Sequence, residues 1–220
     1  MLSKQLLTNH KARITAALLL ASGLSVSMLA VRISYAGYPT YIFLVWNLFL
    51  AWLPFLLALM AYELRQRLWL LLPLGSLWLL FLPNAPYMIT DLMHLHISKL
   101  VPVWYDAIMI FSFALTGLLL GFLSLYLMQA LVVRRFGWRV GWLFVVMILG
   151  LSGLGVYIGR FLRWNSWDVF TNPLTVLHSL LNPELFLKAF VVTALLSLIS
   201  IFAYVIMVSM PRLSLELARE

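Results

Sequence analysis

Cysteine is absent from the chain, which excludes disulfides, thiolate metal sites and a cysteine nucleophile without identifying a compartment. Charge is nearly as scarce. Only 10% of the 220 residues are charged and only seven are acidic, whereas a soluble domain typically carries roughly 25% charged residues. The polar exterior that a water-soluble core of this size needs cannot be built from this composition. No extramembrane stretch is long enough for a second independent domain, so residues 1–220 read as a single membrane domain. Motifs of soluble chemistry are missing too: there is no Gly-x4-Gly-Lys-Ser/Thr phosphate loop, no His-Glu-x2-His zinc helix and no Gly-x-Ser-x-Gly elbow.

What the chain has in quantity is apolar sequence, 64% of its residues at a mean hydropathy of +1.02. A membrane-spanning helix needs about 20 largely apolar residues. Six runs qualify, at 14–31, 41–62, 68–82, 104–133, 140–159 and 185–210. The expected fold class is therefore all-α, a polytopic membrane helix bundle of about six transmembrane helices with polar outer segments at 83–103 and 160–184. The third run is short and contains Pro73, which predicts tilt, a kink or continuation into the polar segment that follows. The first run could instead be a signal peptide cut after Ser34-Tyr35-Ala36, but it exceeds the usual length of about 7 to 15 residues and Arg32 intervenes, so an uncleaved anchor is expected.

The formal charge of +8 is explained by topology. With both termini on the cytoplasmic side, the inner ends and loops hold ten basic residues, including Lys11, Arg13, Arg65, Arg67, Arg134, Arg135 and Arg139. The outer side holds Arg32, Lys99, Arg160, Arg163 and Lys188, and this asymmetry is the positive-inside pattern. No concentrated basic surface suggests nucleic acid as a partner. Asn172-Pro173 opens a segment with Leu174, Leu177, Leu180 and Leu181 at helical spacing, a short helix suited to the outer interface. Gly117/Gly121 and Gly155/Gly159 are small-xxx-small pairs, which predict close backbone contact within the chain or with another subunit.

Two polar stretches carry the possible chemistry, because ionisable groups at membrane depth are costly unless paired, wetted or used. The first is FLPNAPYMITDLMHLH, Phe81 to His96. On a helix capped near Asn84, Asp91 and His94 fall three apart on one face, a spacing that brings a carboxylate and an imidazole to one ligand, one proton or one metal. His96 would point away from His94, so a His-x-His metal site needs extended backbone, and no metal site or cofactor is assigned. Asp106, in the first turn of the fourth span, either supplies another carboxylate or simply favours the positive helix end.

The second stretch is YIGRFLRWNSWD, Tyr157 to Asp168, in which Arg160, Arg163, Trp164 and Trp167 recur on one helical face that would extend the fifth span outward. This face is either snorkelling arginine with an aromatic belt or a two-pronged anion grip. Opposite signs on the two stretches suggest that they meet. Arg160 and Arg163 would then hold an anionic or polar ligand, such as a lipid headgroup or envelope precursor. Asp91 and His94 would handle a proton or orient the ligand, Asp106 and Asp168 would position the arginines, and Trp164 and Trp167 would wall the site. The alternatives are a membrane enzyme on a lipid-linked substrate, with Asp91 and His94 catalytic, and an assembly subunit that docks through its glycine pairs.

FLPNAPYMITDLMHL, the WYD at Trp104 to Asp106, and GRFLRWNSWD resemble the signature stretches of a bacterial integral-membrane family, domain of unknown function 1361. The matching positions here include Asn84, Asp91, His94, Asp106, Arg160, Arg163, Trp164, Asn165, Trp167 and Asp168. The resemblance implies a bacterial cytoplasmic membrane and supplies no activity, substrate or cofactor.

Overall fold

A computed structural model describes the backbone at residues 2–95, 100–164, 171–172, 174–175 and 183–217. The described elements are all helical: α1 (Leu2–Ala36), α2 (Phe43–Glu63), α3 (Leu68–Phe81), α4 (Asn84–Tyr87) with a 3-10 turn at Met88–His94, α5 (Val103–Phe136), α6 (Trp138–Arg160) and α7 (Pro183–Leu217). Six stretches are long and apolar enough to cross a membrane. The expected outer interfacial helix falls mostly outside the described residues, as do His96, Asn165, Trp167 and Asp168.

Fourteen residues in α3 rise only about 21 Å at 1.5 Å per residue, short of a hydrocarbon core about 30 Å thick. Continuation supplies the difference: α4 and the 3-10 turn extend the third crossing to His94. The polar stretch is thus drawn into the bundle, with Ala85, Pro86, Met88, Thr90 and Asp91 buried.

Helix α5 is the central post, packing against α1, α2, α4, the 3-10 turn and α6, while α7 packs on α6. Lipid tails are as apolar as leucine, so contact quality and interhelical polar bonds hold such a bundle rather than removal of surface from water. The glycines supply contact. A Cβ on Gly117 would lie 2.5 Å from the Met88 sulfur and one on Gly121 2.7 Å from Ala85 Cβ. On α6, a Cβ on Gly155 would lie 2.5 Å from Pro83 Cγ and one on Gly159 3.3 Å from the Tyr87 ring. Both small-xxx-small pairs therefore close on one segment, Pro83–Met88, inside the chain.

Polar bonds pin the helices in register. Trp78 Nε1 on α3 donates to Ser124 Oγ on α5 at 3.2 Å, and the Ser124 hydroxyl in turn donates to Gly121 O at 2.7 Å. Tyr204 OH on α7 donates to Gln129 Oε1 on α5 at 2.6 Å, and Tyr105 OH on α5 to Met28 O on α1 at 2.9 Å. Each buried donor in these pairs finds an acceptor, as hydrocarbon requires.

Candidate functional site

The end of the bundle where α1 finishes and α2 begins, here the upper end, gathers the ionisable residues of four crossings. Arg160 closes α6 and turns inward onto the 3-10 segment. Its Nη2 donates to Asp91 Oδ1, and its Nε donates to Thr90 Oγ1 at 2.7 Å. Its guanidinium lies 4.2 Å from the centre of the Tyr87 ring. The other carboxylate oxygen, Asp91 Oδ2, accepts from Asn47 Nδ2 on α2 at 2.9 Å. The Asp91 side chain is 1% exposed and that of Arg160 11%, so each buried charge has its counter-charge in hydrogen-bonding contact. Burying either charge alone would be prohibitive, and the pairing is what permits both at this depth.

His94 stands at the edge of this network, its ring nitrogens 3.4 Å from Arg160 Nη1. Its Nδ1 is 3.9 Å from Asp91 Oδ1, beyond hydrogen-bond reach, and its side chain is 41% exposed. The ring packs on Phe43 with centroids 5.1 Å apart, and the His94 carbonyl accepts from Tyr41 OH at 3.1 Å. Among the described residues no group of three or more His, Asp or Glu side chains is arranged to hold a metal ion.

Asp106 has a different partner from the one its sequence position suggests. Arg32 of α1 grips it with both prongs, Nε to Oδ1 at 2.9 Å and Nη2 to Oδ2 at 3.2 Å, and the two side chains are 3% and 1% exposed. Asp106 therefore does not position Arg160 or Arg163. Tyr41 joins the two ion pairs, its ring 4.7 Å from the Arg32 guanidinium and its hydroxyl on the His94 carbonyl. Tyr41 holds φ at 65° to do so, a left-handed conformation that costs a non-glycine residue about 1 kcal/mol or more.

The helical stripe expected through Arg160, Arg163, Trp164 and Trp167 does not form. Helix α6 stops at Arg160, Arg163 takes φ of 61°, and Trp164 N–H folds back to Ile158 O at 3.2 Å. Arg163 is consequently exposed and parted from Arg160, while Trp164 is turned onto the bundle beside Gly159. Asn165, Trp167 and Asp168 lie outside the described residues.

Beside the Asp91–Arg160 pair is a cleft of about 420 Å³ between α2, α3 and α6. Its walls are largely apolar, and its polar lining is Asn47, Asn84 and Tyr87 with Trp46 and Trp164 at the rim. Trp46 and Leu151 are about half exposed, at 55% and 49%, so the cleft opens sideways, toward lipid. Both asparagines have their amide orientation fixed by their partners. Asp91 and the Phe81 carbonyl only accept, so Asn47 and Asn84 spend Nδ2 on them, the latter at 2.9 Å, and turn Oδ1 to other uses. Pro54 adds to this bias, because it has no N–H to offer the Leu50 carbonyl one turn earlier on the same wall.

The six apolar crossings and the all-helical bundle define an integral, multi-pass membrane protein. Residues 46–209 match the family model described as protein of unknown function, DUF1361, and the chain belongs to that family. No curated protein and no solved structure matches the chain significantly.

Proposed function

We propose that the upper cleft holds the polar head of an amphiphile, with its chain lying along α6, in a protein of a bacterial cytoplasmic membrane whose termini face the cytoplasm. The orientation rests on the basic asymmetry of the loops, which supports an upper end that faces outward. The ligand class rests on one observation: Asn47 and Asn84, which line the cleft with Tyr87, each have their amide N–H committed to an acceptor of the protein, which leaves Oδ1 as an acceptor, while the nearest cation, Arg160, is already answered by Asp91. A head that brings hydroxyl or amine donors fits this lining better than a bare anion does. Arg163, exposed beyond Trp164, would meet an acidic group on the same ligand. From Leu151 to Gly159 the cleft follows α6 for about 12 Å, room for a head and the first part of an acyl chain.

Acid–base catalysis by Asp91 and His94 fits the geometry less well, because both Asp91 oxygens are engaged and His94 stands 3.9 Å away. Phosphatidylethanolamine and phosphatidylcholine separate the readings, since the first carries N–H donors and the second has none. Phosphatidylethanolamine should raise the thermal midpoint of the purified protein in neutral detergent, and Asn84→Leu should weaken that response by about fivefold to tenfold in lipid concentration, one hydrogen bond's worth. Equal responses to both lipids, or an Asn84→Leu protein that responds as the parent does, would refute the proposal.

A further inference from the structure

The opposite end of the bundle carries a second cleft, of about 570 Å³, unconnected with the site above. Three helix ends frame it. Helix α2 stops at Glu63 with Leu64 N–H on Met60 O at 2.9 Å, α3 starts at Leu68, and α5 stops where Gly137 takes φ of 89°. Arg65, Arg134 and Arg135 line the cleft over an apolar floor that includes Leu71 and Leu131.

No acid pairs with these arginines among the described residues. Among residues whose side chains are described, Glu63 is the acid at this end, and it is ion-paired with Lys11. Arg65 donates Nη1 to Tyr62 O at 2.7 Å and stacks 4.8 Å over the Tyr62 ring, while its Nε is buried with no partner among the described residues. Helix C-termini attract cations, which gives these arginines a structural reason to be here. Each such end is worth only about half a charge, however, so α2 and α5 together offset roughly one of the three. Counting the described residues, about two positive charges are left over in a cleft within the roughly 300–1,000 Å³ range of ligand sites.

The surroundings point to the source of the matching anion. Trp69 and Trp138, 73% and 59% exposed, stand at this level as interfacial anchors, and Leu72 is 77% exposed beside them. The cleft thus combines a cationic rim, an apolar floor and a place at the bilayer boundary. We infer that it is a specific seat for the phosphate of an anionic phospholipid, with Arg65, Arg134 and Arg135 on the phosphate and the start of the acyl chains against Leu71 and Leu131. Guanidinium groups suit this work because their paired N–H groups match two phosphate oxygens at once.

The test is native mass spectrometry of the full chain in neutral detergent, titrated separately with phosphatidylglycerol, phosphatidylcholine and inorganic phosphate. One phosphatidylglycerol should bind in preference to phosphatidylcholine, with inorganic phosphate far weaker than phosphatidylglycerol. At about fivefold per arginine near a membrane surface, R134Q/R135Q should cost on the order of 25-fold of that preference. R139Q removes a charge at the same end that does not line the cleft, and it should change the preference less than twofold. Equal binding of the two lipids overturns the inference, and so does inorganic phosphate that binds as well as phosphatidylglycerol. An R139Q loss as large as that of R134Q would reduce the effect to diffuse surface charge and overturn it too. The lipid comparison on the unaltered chain carries the test should a variant fail to fold.

Discussion

At the upper end of the bundle, Arg32 and Arg160 each reach an acid on another crossing, whereas at the lower end Arg65, Arg134 and Arg135 share a cleft with no such acid among the described residues. Depth explains the contrast. Arg32, Asp106 and Asp91 are almost wholly buried, where an unanswered charge costs several kcal/mol. Arg134 and Arg135 are exposed at a helix end, where water or a lipid phosphate can answer them. Pairing of buried charges across helices thus belongs to the architecture of the upper end, whereas the lower end pairs only the partly exposed Lys11 with Glu63 among the described residues, and its arginines are what the proposed lipid phosphate would answer.

Breaking a buried pair should have the largest effect. Asp106→Ala strands Arg32 and should cost about 3–5 kcal/mol, read from unfolding midpoints in detergent. Replacing both residues by apolar ones of similar size should recover most of that loss. An Asp106→Ala cost below about 1 kcal/mol would put the pair in the class of exposed ion pairs and erase the contrast.

Gly155→Leu attacks the same end through packing, since even a Cβ there would lie 2.5 Å from Pro83 Cγ. Overpacking of this kind costs about 1–3 kcal/mol, and it should also close the upper cleft that Gly155 lines, abolishing the phosphatidylethanolamine response. Tyr41→Phe keeps the ring on Arg32 and deletes only the hydroxyl on the His94 carbonyl, a loss of about 0.5–1.5 kcal/mol by the same unfolding assay. Least of all, Arg134→Gln should leave stability within about 0.5 kcal/mol. A large destabilisation there would mean that the lower arginines are as structural as the upper ones.

Much of this arrangement could be read from the residues. Apolar run length located six crossings, because hydrocarbon thickness leaves little freedom. The third apolar run is too short at 68–82, which predicts tilt, a kink or continuation into the polar segment, and the helical path does continue to His94. Opposite charge and the cost of burial point to a meeting of the two polar stretches, which Asp91 and Arg160 make, although the sequence assigns the positioning of the arginines to Asp106 and Asp168. The same argument applies to Arg32, just past the first apolar run, and to Asn47, inside the second, yet neither has a local pattern that names its partner. Asp106 and Arg32 are 74 residues apart, and only the packing of α1 on α5 brings them together. The glycine spacing revealed close contact but not with what. Helical periodicity beyond Arg160 misled, since Phe161 and Leu162 are compatible with helix, and the chain turns where Arg160 is drawn to Asp91 and Trp164 folds back.

Photocrosslinking tests the account at its centre. A diazirine-bearing phosphatidylethanolamine should label peptides containing Trp46–Leu50 and Pro83–Tyr87, which wall the upper cleft from two different crossings, and excess unlabelled phosphatidylethanolamine should compete while phosphatidylcholine does not. Labelling spread evenly over the lipid-facing surface, with those two peptides no richer than the rest, would contradict it.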